Sequence, residues 1–224
     1  MNDYLNDEVS VEETLINSIY DQIFDKKLHP GAKISESVYA KEFSVSRDVV
    51  RKAFSQLQSI GILTHKKNQG FFLRWLSEEE TRELFLARIT IETGIVASVT
   101  QKYALGEIDL SSLKEEVDAE KFYKVSLRNG EYVRTSCNFH LNLALLSGND
   151  FLIDALKPLI TLSTLAGLVY DDDTSPFCSY DEHDELIRAI KTKDIESAKS
   201  FMNYHLHNCV KAFDFNIDDK KEKK

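Results

Sequence analysis

Apolar side chains recur at helical spacing from near the start of the chain. Within residues 11–27, Leu15, Ile16, Ile19, Ile23 and Phe24 fall on one side of a 3.6-residue period, which predicts a helix. The stretch LHPGAKI follows, and its adjacent Pro30 and Gly31 stop that helix in a turn. Ser35 or Ser37 is placed to cap a short second helix ending at Phe43. Ser46 is placed to cap a third, running from Arg47 to about Ser59 with Val50, Ala53, Phe54 and Leu57 inward. Asp48 in its first turn adds charge of the favourable sign at that helix end. Gly61 ends the helix, and ILTHKKNQGFFLRWL reads as two short strands around a polar hinge. Three helices and a hairpin within about 65 residues are the order of a winged helix-turn-helix, with SRDVVRKA on the helix that enters a major groove.

From Ser77 the pattern changes to long helical periods with few breakers. The expected spans are 78–104, 109–128, 131–147, 149–168, 179–191 and 194–213, separated by LGEID, NG, SGND, DDDTSPF and TKD. Six helices joined mostly by short turns predict an antiparallel bundle with its own core. The fold class is therefore mainly α: a winged helix-turn-helix over 10–76, an all-helical bundle of about six helices over 77–213, and a charged flexible tail over 214–224.

Composition permits this division. A chain of 224 residues with 42% apolar content builds one large or two modest cores without staples. Cys137, Cys178 and Cys209 form no CxxC pair and cannot all be bridged internally; they fit a reducing compartment and read as small buried apolar residues. The acidic start MNDYLNDEVSVEE has no basic head or apolar run, and no window approaches eighteen uncharged apolar residues. The expectation is a cytoplasmic protein without a membrane partner.

Charge sharpens the division. The net charge is -9, yet residues 26–75 hold ten Lys/Arg against three Asp/Glu, an excess of +7, whereas residues 77–213 hold fourteen against twenty-three, or -9. The positive field thus lies on the winged segment, the sign a nucleic-acid surface needs. Arg47 and Arg51, four apart behind Ser46, project from one side of the third helix. One can reach a base edge bidentately while the other grips phosphate, and Ser46 can donate to phosphate from its hydroxyl or backbone N–H. In the hinge of the wing, Lys66, Lys67, Asn68 and Gln69 suit a minor groove or the backbone beside it, with Gly70 permitting close approach. His65 stands next to them, within reach of phosphate.

The second half carries a different chemistry. His140 in CNFHLNLALLSGN, His183 in YDEHDELIRAI and His205 in FMNYHLHN sit on three expected helices among apolar neighbours. Converging inside a bundle, three imidazoles hold a borderline divalent ion such as zinc or nickel; not converging, they are hydrogen-bonded core side chains. Arg88 is equally placed to pair with Glu92 one turn on.

The stretch PGAKISESVYAKEFSVSRDVVRKAFSQLQSIGILTHKKNQGFF resembles the GntR family of bacterial transcriptional regulators. The likeness gives Arg47 and Arg51 the major-groove and phosphate roles and Gly70 the wing role. Val49 stands where the family commonly has proline, and Ser37 where some members have a further basic residue. The helical half, through RITIET with Arg88 and Glu92, NFHLNLALLSGNDFL and YDEHDELIRAIKTKDIESAKSFMNYHL, is similar to the FCD effector domain of the FadR branch. That likeness puts His140, His183 and His205 at metal-binding positions for zinc, nickel or manganese. It also implies a small carboxylate effector bound beside Arg88 and position 136. The family's aspartate, one turn before the first histidine, is replaced by Ser136. Three histidines then leave open positions that a carboxylate can fill.

These readings combine into a ligand-responsive transcription regulator and not an enzyme. It is expected to be a repressor released by a small organic acid, acting as a homodimer on a pseudo-palindromic operator in double-stranded DNA. Two alternatives keep the DNA-binding half: a metal-free pocket using the histidines and Arg88 as donors, or a purely structural helical domain. A third, a three-histidine hydrolase with Glu92 or Glu182 as general base, leaves the winged half unexplained.

Overall fold

A computed structural model describes residues 10–126, 129–170 and 178–217. The chain divides into two compact units between Arg74 and Trp75.

In the first unit, α1 (Val11–Phe24) starts at Ser10, whose hydroxyl accepts from the Glu13 amide, and buries Leu15, Ile19 and Ile23. The short α2 (Glu36–Glu42) begins after Ser35, whose hydroxyl bonds Ser37 rather than the helix end. The third helix, α3 (Arg47–Ser59), has the expected bounds, with Ser46 capping it through the Val49 amide and Val50, Ala53, Phe54 and Leu57 buried. Strands β2 (Leu63–Lys66) and β3 (Gly70–Leu73) form the hairpin, pairing Leu63 with Leu73 and Lys66 with Gly70. Its turn places Asn68 at φ 61° and Gly70 at φ 97°, the latter a conformation that a Cβ strains.

A third strand, β1 (Lys33–Ile34), pairs antiparallel with β3 to give the order β1-β3-β2. Two residues are too few to show a period, and their pairing lies across the chain, so only the turn before them is legible in the residues. Phe54 holds the core of this unit: it meets Tyr39 and Phe71 edge-on, with ring centroids 5.6 and 5.3 Å apart.

The second unit contains α4 (Glu78–Leu105), α5 (Ser111–Val125), α6 (Asn129–Ser147), α7 (Asp150–Tyr170), α8 (Tyr180–Lys191) and α9 (Ile195–Lys211). A capping box between Ser77 and Glu80 opens α4, and Gly106 closes it at φ 74°. The Asn-Gly pair expected as a break forms the first turn of α6, and DDDTSPF lies outside the described residues. Helix α4 packs against α6, α7, α8 and α9, and α5 against α6 and α8. By length and composition α7 could cross a membrane, but it is a core helix: Ile160–Ala166 is buried almost throughout. Past Phe213, Phe215–Ile217 forms a single 3-10 turn with Phe215 against Tyr170, where the tail was expected to begin.

The packing predicts a specific weakness. Phe54→Ala removes the ring that joins α2, α3 and β3, and should lower the stability of the first unit by about 3–5 kcal/mol, read by urea denaturation.

Candidate functional site

The first unit presents a concave face of about 570 Å³ whose lining includes Lys33, Arg47, Arg51, Gln58, His65 and Gln69. It joins the start of α3 to the wing, with Gly70 also at its edge. Arg51 is held in place: its Nε and Nη2 donate to the two carboxylate oxygens of Glu36, at 2.9 and 3.2 Å. This ion pair between α2 and α3 was not foreseen, because fifteen residues separate its members. Ser46 spends an acceptor lone pair on its own helix and keeps its hydroxyl proton. His65 tilts against Phe71, and the Lys66 ammonium lies over the Phe72 ring at 4.7 Å. Lys66, Lys67 and Asn68 are exposed on the hairpin but are not part of the concave lining.

In the second unit the three histidines meet. His140 comes from α6, His183 from α8 and His205 from α9, all buried, with ring centroids 4.8 to 5.4 Å apart. Each Nδ1 faces a carboxylate: His140 Glu92 at 2.5 Å, His183 Glu120 at 2.8 Å and His205 Glu182 at 2.8 Å. A carboxylate accepts only, so each Nδ1 carries the proton, and only when the ring is in its neutral form does an Nε2 lone pair turn inward. Glu92 and Glu182, the general bases a hydrolase would need, are thereby engaged as histidine partners.

The sequence reading missed two members of this cluster. Glu120 continues the buried face of α5 begun by Leu113 and Val117, so a carboxylate in an apolar slot was the available signal. Cys178, read as a small apolar residue, instead points its Sγ at the rings, 3.2 Å from His183 Nε2, 3.6 Å from His205 and 3.8 Å from His140. Its backbone carbonyl accepts a 2.7 Å bond from the buried Tyr132 hydroxyl. The four ligand-type atoms of His140, Cys178, His183 and His205 lie within 4.8 Å of one another. With a modest contraction, that span suits an ion with ligand distances of about 2.0–2.3 Å. The donor types and their carboxylate backing fit a divalent metal.

Burial and charge set the protonation of this interior. For His140 burial dominates, and with Arg88 also opposing a positive ring it is pushed down to about 3 in spite of Glu92. Burial would raise the Glu92 carboxyl, yet Arg88 and His140 hold it at about 2. For His183 and His205 the cost of burial is outweighed by Cys178 together with Glu120 and Glu182, and both rise to about 9. Burial lifts the Cys178 thiol to about 11.

Beside the cluster lies a cavity of about 10 Å³, space for one water, lined among others by Arg88, Ser136, His140, Ser163 and Cys178. Arg88 donates from Nε to Glu92 at 2.7 Å, as intrahelical pairing predicted, but its Nη2 and the Ser136 hydroxyl are buried without a hydrogen-bond partner among the described residues. Native interiors seldom leave such groups unmatched.

Comparison with known proteins places these features. The family model described as FCD domain matches residues 83–208, and that described as bacterial regulatory proteins, gntR family, matches residues 12–73. The HTH-type transcriptional regulator LutR of Bacillus subtilis (strain 168) is 25% identical over 81% of this chain and 91% of its own. The gluconate operon transcriptional repressor of the same organism is 26% identical over 88% and 77%. Among solved structures, E. coli McbR/YncC shares the fold with a TM-score of 0.75 at 19% identity, covering 89% of this chain and 94% of its own.

The buried pair of Arg88 and Glu92 yields a pH-dependent prediction. Glu92 sits below its ordinary value of 4.5, so its stabilising contribution is present above that value and is lost as pH falls toward about 2. Glu92→Gln strands the Arg88 charge and should cost about 3–5 kcal/mol at neutral pH. In urea denaturation the difference from wild type should narrow as the pH is lowered through that window.

Proposed function

The chain belongs to the GntR family of bacterial DNA-binding regulators and carries an FCD domain, and on that footing we propose that it is a cytoplasmic repressor released by a small carboxylate. Residues 10–76 bind DNA. Arg47, at the exposed start of α3, reads a base edge; Arg51 grips phosphate, with Ser46 donating to the backbone beside it. Lys66, Lys67, Asn68, Gln69 and Gly70 form the wing that follows the adjacent groove, with His65 near phosphate. The active species is a homodimer on a pseudo-palindromic operator, since two symmetry-related α3 helices meet major grooves about 34–36 Å apart. The name of the gluconate operon relative supports repression as the direction of control.

Residues 77–213 bind the effector and dimerise, with residues 214–224 as a charged tail. His140, His183 and His205 hold a divalent ion, with zinc, nickel and manganese the candidates. When bound, the ion supplies a fixed positive charge that ties α6, α8 and α9 together. Arg88 and Ser136 receive the effector carboxylate, and binding requires the cavity to widen from its one-water size. Effector binding then changes how the DNA-binding units of the dimer are presented to the operator. The observation carrying this reading is the convergence of three carboxylate-backed histidines next to two buried donors, Arg88 Nη2 and Ser136 Oγ, that have no partner among the described residues.

Two outcomes are expected. Arg47→Ala or Arg51→Ala weakens operator binding about tenfold or more without changing the fold, as measured by fluorescence anisotropy and circular dichroism; unaltered binding with both arginines removed rules out this interface. Protein purified without chelator or histidine tag carries close to one metal ion per chain by plasma mass spectrometry, and His183→Ala loses it. Absence of metal, with no uptake of zinc, nickel or manganese, leaves a pocket that recognises its ligand by hydrogen bonds.

A further inference from the structure

We propose that Cys178 binds the metal as a thiolate, completing a closed three-histidine, one-cysteine site in which the effector does not touch the ion. The inference rests on the metal reading above and changes what that site can do.

Three observations support it. The Cys178 Sγ lies within 3.2 to 3.8 Å of all three Nε2 atoms, on the side the imidazole lone pairs face. Its position is also built: Tyr132, itself buried, donates to the Cys178 carbonyl at 2.7 Å and fixes the backbone at the entrance to α8. Ser136, which occupies the position one turn before His140, offers no anionic ligand atom at neutral pH, and its hydroxyl finds no partner among the described residues. The fourth donor therefore arrives from a different element of the fold.

Loading balances simply. The Cys178 S–H bond breaks as the sulfur–metal bond forms, any proton on an inward Nε2 leaves as that nitrogen binds the metal, and these protons pass to solvent; no oxidant or reductant is involved. A bound dication makes this favourable even for a thiol that burial otherwise keeps protonated, because a coordinating thiol is deprotonated outright.

Two consequences follow from the thiolate. A soft sulfur donor in a four-coordinate nitrogen–sulfur set favours zinc or cobalt over manganese. Four protein ligands also fill a tetrahedral ion, the arrangement of structural sites rather than open ones. An effector carboxylate then contacts Arg88 Nη2 and Ser136 Oγ, in a cavity that shares Cys178 and His140 with the cluster.

The experiment is titration of the metal-free full chain with cobalt(II), followed by absorption, for wild type, Cys178→Ser and Cys209→Ser. Cys209 is the control because its Sγ lies 3.8 Å from His205 Nε2 but outside the four-residue group. The expected result is a near-ultraviolet sulfur-to-cobalt charge-transfer band in wild type and Cys209→Ser, absent from Cys178→Ser, which still shows the weaker visible bands of histidine-bound cobalt. Cobalt bound without a charge-transfer band in wild type, or a band that survives Cys178→Ser, overturns the proposal while leaving the three-histidine site standing. Failure of wild type to bind cobalt or zinc overturns the metal reading itself. Should Cys178→Ser not fold, X-ray absorption of zinc-loaded wild type decides: one sulfur at about 2.3 Å supports the ligation, and a shell of nitrogen and oxygen alone refutes it.

Discussion

Three imidazole–carboxylate pairs, two of them fully buried and the third with a part-exposed Glu182, govern the helical unit. Ionisable groups removed from water must be paired and hydrogen-bonded, or the interior that holds them does not form. His140 with Glu92, His183 with Glu120 and His205 with Glu182 meet that demand with side chains drawn from α4, α5, α6, α8 and α9. The bundle is thus organised around a polar centre, and the apolar packing of Phe139, Leu143, Leu186 and Leu206 surrounds it. Phe139 stacks on His183 at 4.0 Å between centroids, joining the two kinds of packing.

Fixing Nδ1 of each ring also decides what the centre can bind. With the outer nitrogens committed to carboxylates, the inner nitrogens are presented to one another and to a thiol, a set of donors suited to a metal and poorly suited to acid–base turnover. Arg88 links this centre to the cavity: one edge of its guanidinium satisfies Glu92 and another, at the cavity wall, has no partner among the described residues. A ligand carboxylate there would supply the missing hydrogen bonds, and the charge it meets is already held by the histidine network. Under the proposed reading, binding at the cavity and order in the histidine cluster would be coupled through this one side chain.

The first unit is built on the opposite principle, an apolar centre with charge outside. Tyr39, Phe54 and Phe71 pack edge to face, so the arginines at the start of α3 are left on the surface, where the local positive excess can meet a polyanion. Glu36 moderates that charge: by gripping Arg51 through two hydrogen bonds it orients the guanidinium in an ion pair that a phosphate, on the proposed reading, would have to compete with or share.

Much of this was legible in the residues. Periodicity set α3 to its ends and located the six long helices, because an amphipathic helix writes its buried face at fixed spacing and its caps beside it. Clustered Lys and Arg marked the charged unit, and the three histidines stood out as polar residues among apolar ones. Glu120 and the two-residue β1 were missed, since one polar slot or two residues make no pattern. The meaning of Cys178 could not be read, because a cysteine in an apolar setting looks the same whether it faces a leucine or three imidazoles. The sequence by itself determined the elements, the segregation of charge and the kinds of donor available. Only the tertiary structure decided that His140, His183, His205 and Cys178 share one centre, that Arg51 belongs with Glu36, and that Arg88 Nη2 and Ser136 Oγ lie buried beside a cavity with no partner among the described residues, because such encounters are made by packing between elements separated in the chain.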